Sequence, residues 1–216
     1  MMMPAAVVSA PRSTQDFDAV YATAERDPRA VPWARCEPHP ALVTWLNAVA
    51  PSLIRCGARV AVVGCGLGDD VRALVQRGFD VTGFDCSPCA IDWARERHPS
   101  CADSFQVGCI FDPPSRWRRR FDLVVEINTI QALPLKQRPK TMGAIAELVG
   151  KNGYLLVIAR GTEAPAPADA GPPWPLTESE VADLARGAGL AIETPPVSFM
   201  DDDDPPVRRL RAVFRR

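Results

Sequence analysis

Three glycines alternate in the stretch GCGLGDD, where Gly64, Gly66 and Gly68 follow an apolar run and precede two aspartates. Glycine accepts a positive φ and lets the backbone approach a ligand, and a strand-turn-helix unit presents its ligand site at the carboxyl end of a sheet. A dinucleotide turn of the type G-x-G-x-x-G needs a small residue at position 69, where the helix N-terminus receives a diphosphate, but this chain has Asp69 there. Two like charges about 4 Å apart repel by about 4 kcal/mol at an effective dielectric constant of about 20, so Asp69 and Asp70 favour a cation. S-adenosyl-L-methionine carries an ammonium and a sulfonium instead of phosphates, and the turn therefore predicts this cofactor.

A second acidic residue supports a nucleoside at this place. Asp85 ends the strand-like stretch VTGFD, about 20 residues after Gly64, which is the spacing at which an acid meets ribose hydroxyls. A carboxylate can accept hydrogen bonds from both hydroxyls. Because NAD makes the same demand, Asp85 alone does not exclude an NAD-dependent oxidoreductase. A non-catalytic protein that binds S-adenosyl-L-methionine is the other alternative.

The elements that position these residues alternate between strand-like and helix-like patterns from Arg59 onward. Such alternation predicts an α/β fold with helices on both faces of a mainly parallel sheet. A proline-rich stretch at 161–175 is predicted as a lid or an edge loop. The predicted strands are 59–64, 80–85, 104–108, 121–127, 154–159, 190–199 and 207–214, and the predicted helices are 16–25, 40–54, 69–77, 88–97, one within 136–149, and 178–188.

Composition narrows the class of protein. The chain has 216 residues, with 25 basic and 26 acidic side chains and a net charge of −1, so it offers no positive excess for nucleic acid or an anionic membrane. No segment approaches the length of about 20 apolar residues that a membrane helix needs. Seven cysteines in a domain of this size favour a reducing compartment, and we expect a cytoplasmic protein. The domain prediction is a disordered leader at 1–15, an N-terminal helical lid at 16–57 and a catalytic domain at 58–216.

The motifs VAVVGCGLGDD, VTGFD and FDLVVEINTIQALP, in this order, resemble those of the class I S-adenosyl-L-methionine-dependent methyltransferases. The stretches WARCEPHPALVTWL and PWPLTESEV are further similar to small bacterial members near the thiopurine and tellurite methyltransferases, which act on small nucleophiles. The resemblance implies a three-layer, Rossmann-like, seven-stranded sheet whose last strand is antiparallel. It also implies a cofactor site formed by Gly64, Cys65, Gly66, Gly68, Asp69, Asp85, Cys86, Cys109, Ile110 and Glu126.

This sequence departs from the family pattern at the end of the third strand. Family members commonly have Gly-Asp there, with the acid on the adenine amino group, whereas this chain reads Gly108-Cys109-Ile110. Asp112 could replace the missing acid, or the backbone of Cys109 and Ile110 could meet the adenine edge alone. Both alternatives stay open at this point.

The methyl acceptor is predicted to be a small molecule. Candidate residues for its pocket are Trp33, His39, Asn128, Gln131 and Trp174, with loop or helix capping as the alternative role of the polar ones. His39 and His98 are the only histidines; capping of helix 40–54 is the favoured role of His39, and a surface cap that of His98. A thiolate or an acidic phenolate needs no general base, so the scarcity of bases mildly favours a soft or acidic nucleophile.

Other signals are interpreted as incidental. Asp112-Pro113-Pro114 resembles a motif of nucleic acid base methyltransferases, but it precedes the fourth strand instead of ending it. Cys86 and Cys89 have no second cysteine pair at zinc spacing, so no metal is predicted. The basic segment RRLRAVFRR is expected to be a solvated edge strand. Nothing in the sequence indicates the oligomeric state.

Overall fold

A seven-stranded sheet in the order β3-β2-β1-β4-β5-β7-β6 organises the molecule. The computed structural model describes residues 14–167, 169 and 171–216, so the predicted leader lies outside the described residues except for its last two. Within the described part, none of the helices is long and apolar enough to cross a membrane. The strands are β1 (Arg59–Val63), β2 (Asp80–Asp85), β3 (Phe105–Val107), β4 (Phe121–Ile127), β5 (Val149–Arg160), β6 (Ala191–Met200) and β7 (Arg208–Arg215).

Helices cover both faces of this sheet, as the alternation of patterns predicts. One face packs mainly against α2, α4 and α5, and the other against α7 and α8. A third, smaller cluster joins α1 to α5. The helices are α1 (Thr14–Thr23), α2 (Pro40–Ala48), α3 (Ala50–Leu53), α4 (Asp69–Val75), α5 (Pro88–Arg97), α6 (Thr129–Ala132), α7 (Arg138–Ala146) and α8 (Glu178–Gly187).

The first five strands of the sheet order are parallel to one another, and β7 is antiparallel to both of its neighbours. The prediction of a Rossmann-like sheet with an antiparallel last strand is therefore confirmed. The strand order reverses between β1 and β4, whose residues Val63 and Glu126 are register partners. Ligands of open α/β sheets bind at such a switch point, at the carboxyl ends of the strands.

Two boundaries differ from the predictions for identifiable reasons. The predicted helix 40–54 is two helices, since Pro51 has no N–H to continue the hydrogen-bond ladder across Val49. Strand β5 begins earlier than predicted because Val149 already pairs with Phe121, and the Asn152 turn forms an irregularity inside the strand.

The expectation that the basic C-terminal segment is an edge strand is wrong. Strand β7 lies between β5 and β6, and Leu210, Ala212, Val213 and Phe214 are buried. Side chains on both faces of β7 are buried. The alternating Leu210, Ala212 and Phe214 lie on one face, and Val213 lies on the other. The edge strand at this end of the sheet is β6, most of whose residues are exposed.

Candidate functional site

The glycine turn between β1 and α4 has the backbone conformation expected of it. Gly64, Gly66 and Gly68 all have positive φ, of 60°, 49° and 85°. A Cβ added at Gly64 would lie 2.6 Å from Thr129 Oγ1, and one at Gly66 would lie 3.0 Å from the Tyr21 hydroxyl. The turn is thus closed from above by side chains of two other elements, and only glycine fits beneath them.

Asp85 lies at the carboxyl end of β2, next to this turn. Its Oδ2 accepts the Gly66 N–H at 3.0 Å and its Oδ1 accepts the Ser87 N–H at 3.0 Å. The side chain is buried, and this burial raises the pKa of Asp85. The Cys86 backbone and thiol also hydrogen-bond to this carboxylate. Because a carboxylate has about four acceptor positions, a ligand hydroxyl at Asp85 would compete with Cys86 for them.

The two aspartates that begin α4 already have protein partners. The Asp69 carboxylate accepts from Arg97 Nη2 at 2.8 and 3.1 Å, and Asp70 Oδ1 accepts the His39 N–H at 2.7 Å. Burial raises the pKa of Asp70 to about 6. The sequence predicts two uncompensated carboxylates that favour a cation. In the structure, both carboxylates already have partners within the protein. Asp69 as a cofactor ligand stays a prediction.

An N-terminal aromatic cluster covers the turn, and it contains a residue that the sequence analysis missed. The Tyr21 hydroxyl accepts the Trp33 Nε1–H at 2.7 Å, and the Trp33 ring meets Phe17 and Tyr21 edge to face. Burial, with the nearby charge of Asp85, raises the pKa of Tyr21 well above its usual value. The sequence places two aromatic residues, Phe17 and Tyr21, on the predicted helix 16–25, but it does not reveal where that helix docks.

Asp18 connects this cluster to the start of α5, directly after β2. Its carboxylate accepts from Ser87 Oγ at 2.6 Å and from the Cys89 N–H at 3.1 Å, at the N-terminus of α5. These hydrogen bonds hold the pKa of Asp18 below its usual value. Helix α1 therefore lies against the residues that follow Asp85.

The end of β4 presents two buried acceptor atoms without partners. Glu126 is fully buried; its Oε1 accepts the Ile130 N–H at 3.0 Å, whereas its Oε2 has no hydrogen-bond partner. Burial raises the pKa of Glu126 to about 7. Asn128, with a φ of 64°, has a buried Oδ1 that also has no partner. Such acceptors fit a ligand that donates hydrogen bonds.

Gln131 and Trp174 lie together but serve mainly to join elements. Gln131 Oε1 accepts the Arg160 N–H at 2.6 Å, and its backbone carbonyl accepts the Trp174 N–H at 2.9 Å. The Trp174 carbonyl accepts from Arg138, whose guanidinium also pairs with Glu180. Trp174 is buried, and its Nε1 has no partner. The Gln131 side chain hydrogen-bonds to the backbone of another element, which agrees with its alternative role as a cap. A pocket role for Trp174 stays a prediction.

The two histidines have defined and different environments. His39 Nδ1 accepts the Ala41 N–H at 3.2 Å, so the predicted helix cap is present. Burial and the neighbouring Arg209 and Arg35 lower the pKa of His39 to about 4. His98 is not on the surface as expected: it is 6% exposed and stacks on Phe105, behind Gly68. Pro99 marks the end of the helix in the sequence, but it does not show whether that end is exposed.

Cysteine follows three of the parallel strands, at Cys65, Cys86 and Cys109. Burial raises the pKa of Cys65 well above its usual value and that of Cys86 to about 12, so neither thiol ionises near neutrality. Residues Cys109 and Asp112 form a bridge, with the Asp112 N–H donated to the Cys109 carbonyl at 3.1 Å. Asp112 is exposed, whereas Ile110 is buried. In the described part of the chain, no group of three or more His, Cys, Asp or Glu residues is arranged to hold a metal.

The site as a whole fits a nucleoside that carries a cation better than one that carries a diphosphate. The Asp85 carboxylate, the free oxygen of Glu126 in its ionised form and the free oxygen of Asn128 are all hydrogen-bond acceptors. Ribose hydroxyls and an ammonium group donate to such atoms, while phosphate oxygens cannot. Because ribose hydroxyls are common to both kinds of nucleoside, the preference for a cation rests on Glu126 and Asn128 more than on Asp69 and Asp70.

Comparison with known proteins gives evidence on the ligand that does not depend on the geometry of the site. The sequence model of the family "Thiopurine S-methyltransferase (TPMT)" matches residues 25–210 of this chain. The chain is 26% identical over 173 residues to thiocyanate methyltransferase 1 of Brassica oleracea, covering 78% of this chain and 74% of that protein. It is also 33% identical over 105 residues to magnesium-protoporphyrin O-methyltransferase of Rhodobacter capsulatus, covering 47% of this chain and 44% of that protein.

A solved structure with the same fold contains a bound product of the cofactor. The 1,6-didemethyltoxoflavin-N1-methyltransferase of Burkholderia thailandensis, crystallised with its substrate and S-adenosylhomocysteine, superposes with a TM-score of 0.71. It is 19% identical, and the match covers 97% of this chain and 93% of that one. At this identity the likeness concerns the fold.

Proposed function

Because the chain belongs to the thiopurine S-methyltransferase family and is an S-adenosyl-L-methionine-dependent methyltransferase, we propose that it methylates a small, soft nucleophile, most readily a thiolate sulfur. The acceptor atom is the part of this function that goes beyond the family. When bound, S-adenosyl-L-methionine supplies an activated methyl group on a sulfonium. The chain's own residues then have to hold the cofactor, align the acceptor and exclude water.

Each part of the crevice has a residue suited to one of these tasks. We assign the ribose hydroxyls to Asp85 and the ammonium group to the free oxygens of Glu126 and Asn128. Tyr21 and Trp33 cover the glycine turn and would exclude water from the bound cofactor. Alignment of two reactants alone can remove about 7–11 kcal/mol from a barrier, which suffices when the acceptor is already an anion.

The observation that carries the choice of acceptor is the state of His39. Its Nδ1 lone pair accepts the Ala41 N–H, so in the neutral ring Nε2 carries the proton and the side chain can only donate. With a pKa of about 4, this ring does not gain a proton near neutrality either. His98 lies behind Gly68, between Asp69 and Phe105, and not in the crevice. An acceptor that needs deprotonation by histidine is therefore disfavoured, and a thiolate needs none.

The names of the matching proteins support sulfur as well. The family is named for S-methylation of thiopurines, and the Brassica oleracea protein for methylation of thiocyanate. Both acceptors are soft sulfur nucleophiles. The Rhodobacter capsulatus protein is an O-methyltransferase, but the match spans less than half of its length.

An acceptor panel tests the proposal. The protein is incubated with S-adenosyl-L-methionine and with thiophenol, phenol or aniline, and methylated product and S-adenosylhomocysteine are quantified by mass spectrometry. We expect thiophenol to be methylated at least ten times faster than phenol or aniline. A preference for aniline or phenol would overturn the sulfur assignment. Binding of the cofactor without any product from this panel or from thiocyanate would favour a non-catalytic binding protein.

A further inference from the structure

A second cavity lies outside the crevice, on the outer side of the glycine turn. Its volume is about 430 Å³, and it opens between α4, the end of α5 and the residues after α5. None of the glycines of the turn lines it, nor do Asp85, Glu126 or Asn128. The lining residues are Cys36, Asp69, Arg72, Gln76, Arg97, His98, Pro99 and Ser100.

The cavity carries more hydrogen-bond donors than the protein satisfies. Arg72 and Arg97 both line it, and the Nε atom of each guanidinium is buried without a hydrogen-bond partner. Arg97 pairs with Asp69, whereas Arg72 forms no ion pair within the described part of the chain. Asp69 is the one carboxylate among the lining residues, so one positive charge in the cavity is uncompensated.

His98 adds a buried polar group to the same wall. Its side chain is 6% exposed, and its Nε2 is 3.6 Å from Asp69 Oδ1 but has no hydrogen-bond partner. The charged groups that face it are Asp69, Arg97 and Arg72, while Phe105 stacks on the ring. Burial lowers the pKa of His98, so the ring is neutral in the free protein. An anion in the cavity would raise the pKa of His98.

We propose that this cavity binds a small oxyanion of the phosphate class, held by the guanidinium groups of Arg72 and Arg97. Guanidinium presents a planar set of donors that matches phosphate oxygens, and such charge-assisted hydrogen bonds are the stronger kind. The volume exceeds what one phosphate group needs, so free phosphate and a small phosphate monoester are both admitted. The site shares Asp69 with the predicted cofactor residues but opens on the outer side of the glycine turn, and it does not depend on the acceptor assignment.

Calorimetric titration of the full chain tests this site. Inorganic phosphate and phenyl phosphate are titrated separately at constant ionic strength, because screening would otherwise change with ligand concentration. We expect saturable binding of one anion per chain. Tighter binding of phenyl phosphate would identify a monoester site, and tighter binding of inorganic phosphate would identify a site for the free ion.

Three variants decide whether the binding is in this cavity. Arg72→Gln should weaken phosphate binding at least tenfold, and Gln76→Glu, which adds a carboxylate at the cavity wall, should weaken it to a similar extent. The matched control Arg120→Gln removes an exposed arginine far from the cavity lining and should leave the affinity unchanged. Circular dichroism checks that the variants are folded, and Gln76→Glu supplies the answer if Arg72→Gln is not. Absence of saturable binding, unchanged affinity in the cavity variants, or an equal loss in Arg120→Gln would overturn the proposal.

Discussion

At the scale of single residues, the crevice depends on polar atoms whose partners are only partly supplied by the protein. Asp85 uses one lone pair of each oxygen on the Gly66 and Ser87 N–H groups. Glu126 uses one oxygen and leaves the other unpartnered. A buried polar atom without a partner costs free energy, and a ligand that satisfies it recovers that cost. The proposed contact of the cofactor with these free oxygens would therefore add to its affinity.

Replacement of Asp85 by asparagine tests this directly. The amide would place an NH₂ group against a backbone N–H and would remove the charge that ribose hydroxyls meet. Loss of hydrogen bonds to a charged group corresponds to about 10- to 100-fold in affinity. Calorimetry with S-adenosyl-L-methionine should therefore show a dissociation constant raised by that factor. Asp80→Asn, at the exposed start of the same strand, is the matched control, and equal affinities in both variants would contradict the assignment.

Glu126 should make stability depend on pH. Its pKa is raised from 4.5 to about 7 in the folded protein, so between these values the folded state holds a proton that the unfolded state releases. Stability should fall as pH rises through this window and level off above it, by on the order of 3 kcal/mol for this group. Asp70 and Asp85, whose pKa values are also raised, add to the slope.

Urea denaturation between pH 4.5 and pH 8 measures this dependence. Glu126→Gln has no ionised form to disfavour, so its stability should fall less steeply with pH than that of the wild type. Glu193→Gln, on the exposed strand β6, should retain the full dependence. Parallel curves for wild type and Glu126→Gln would show that the carboxyl does not titrate in this way.

At the scale of elements, the sequence predicts which segments are helices and strands. It predicts their termini only where the capping groups are local. Ser87 and Pro88 predict the start of α5 correctly because a cap and a first-turn proline act locally. Thr177 and Glu180 have the spacing of a capping box, and Thr177 caps α8 by accepting the Glu180 N–H. The Glu180 carboxylate, however, pairs with Arg138 instead of returning to the cap. That partner comes from another helix, and no local pattern reveals it.

The same limit applies to the candidate site. The glycine turn and the position of Asp85 follow from local spacing and could be predicted. The partners of Asp69 and Asp70 could not, since Arg97 lies one helix away and His39 belongs to the N-terminal segment. Tyr21 was missed for the same reason, because its place above Gly66 depends on how α1 docks.

Docking of α1 should depend on Asp18. This carboxylate of α1 binds the N-terminus of α5, and its loss should cost about 1 kcal/mol of stability, as for other capping side chains. Asp18→Ala should therefore raise hydrogen exchange in residues 14–33 and weaken cofactor binding about fivefold. Asp92→Ala removes a carboxylate of α5 whose ion pair is with Arg95 of the same helix, and it serves as the control. Unchanged exchange in Asp18→Ala would mean that the aromatic contacts alone hold α1.

At the scale of the whole molecule, one ionic network ties the two ends of the described chain together. Arg209 on β7 is buried and pairs with Asp201 and Asp203, and Asp203 also pairs with Arg35 of the N-terminal segment at 2.8 Å. These arginines hold the pKa of Asp203 well below its usual value. The N-terminal segment that covers the glycine turn is thus also bound to the loop between β6 and β7.

Arg209→Met should destabilise the protein by about 3 kcal/mol or more. Removing one member of a buried ionic network leaves its partners desolvated without compensation. Arg208→Met is a closely matched control, because Arg208 is next to Arg209 in the sequence but is exposed. Its ion pair with the exposed Glu163 contributes at most about 1 kcal/mol. Denaturant midpoints compare the two variants. Equal and small losses would show that the network does not contribute to stability.

The pH dependence of methyl transfer tests the central claim, that the acceptor arrives as an anion and needs no base from the protein. The ratio kcat/KM is measured against pH for two thiols that differ in acidity, for example thiophenol and 2-mercaptoethanol, with saturating S-adenosyl-L-methionine. The account predicts that the midpoint of each profile follows the pKa of the thiol and moves when the thiol is changed. One common midpoint for both thiols, near the pKa of about 7 of Glu126, would show that a protein group removes the proton and would contradict the account.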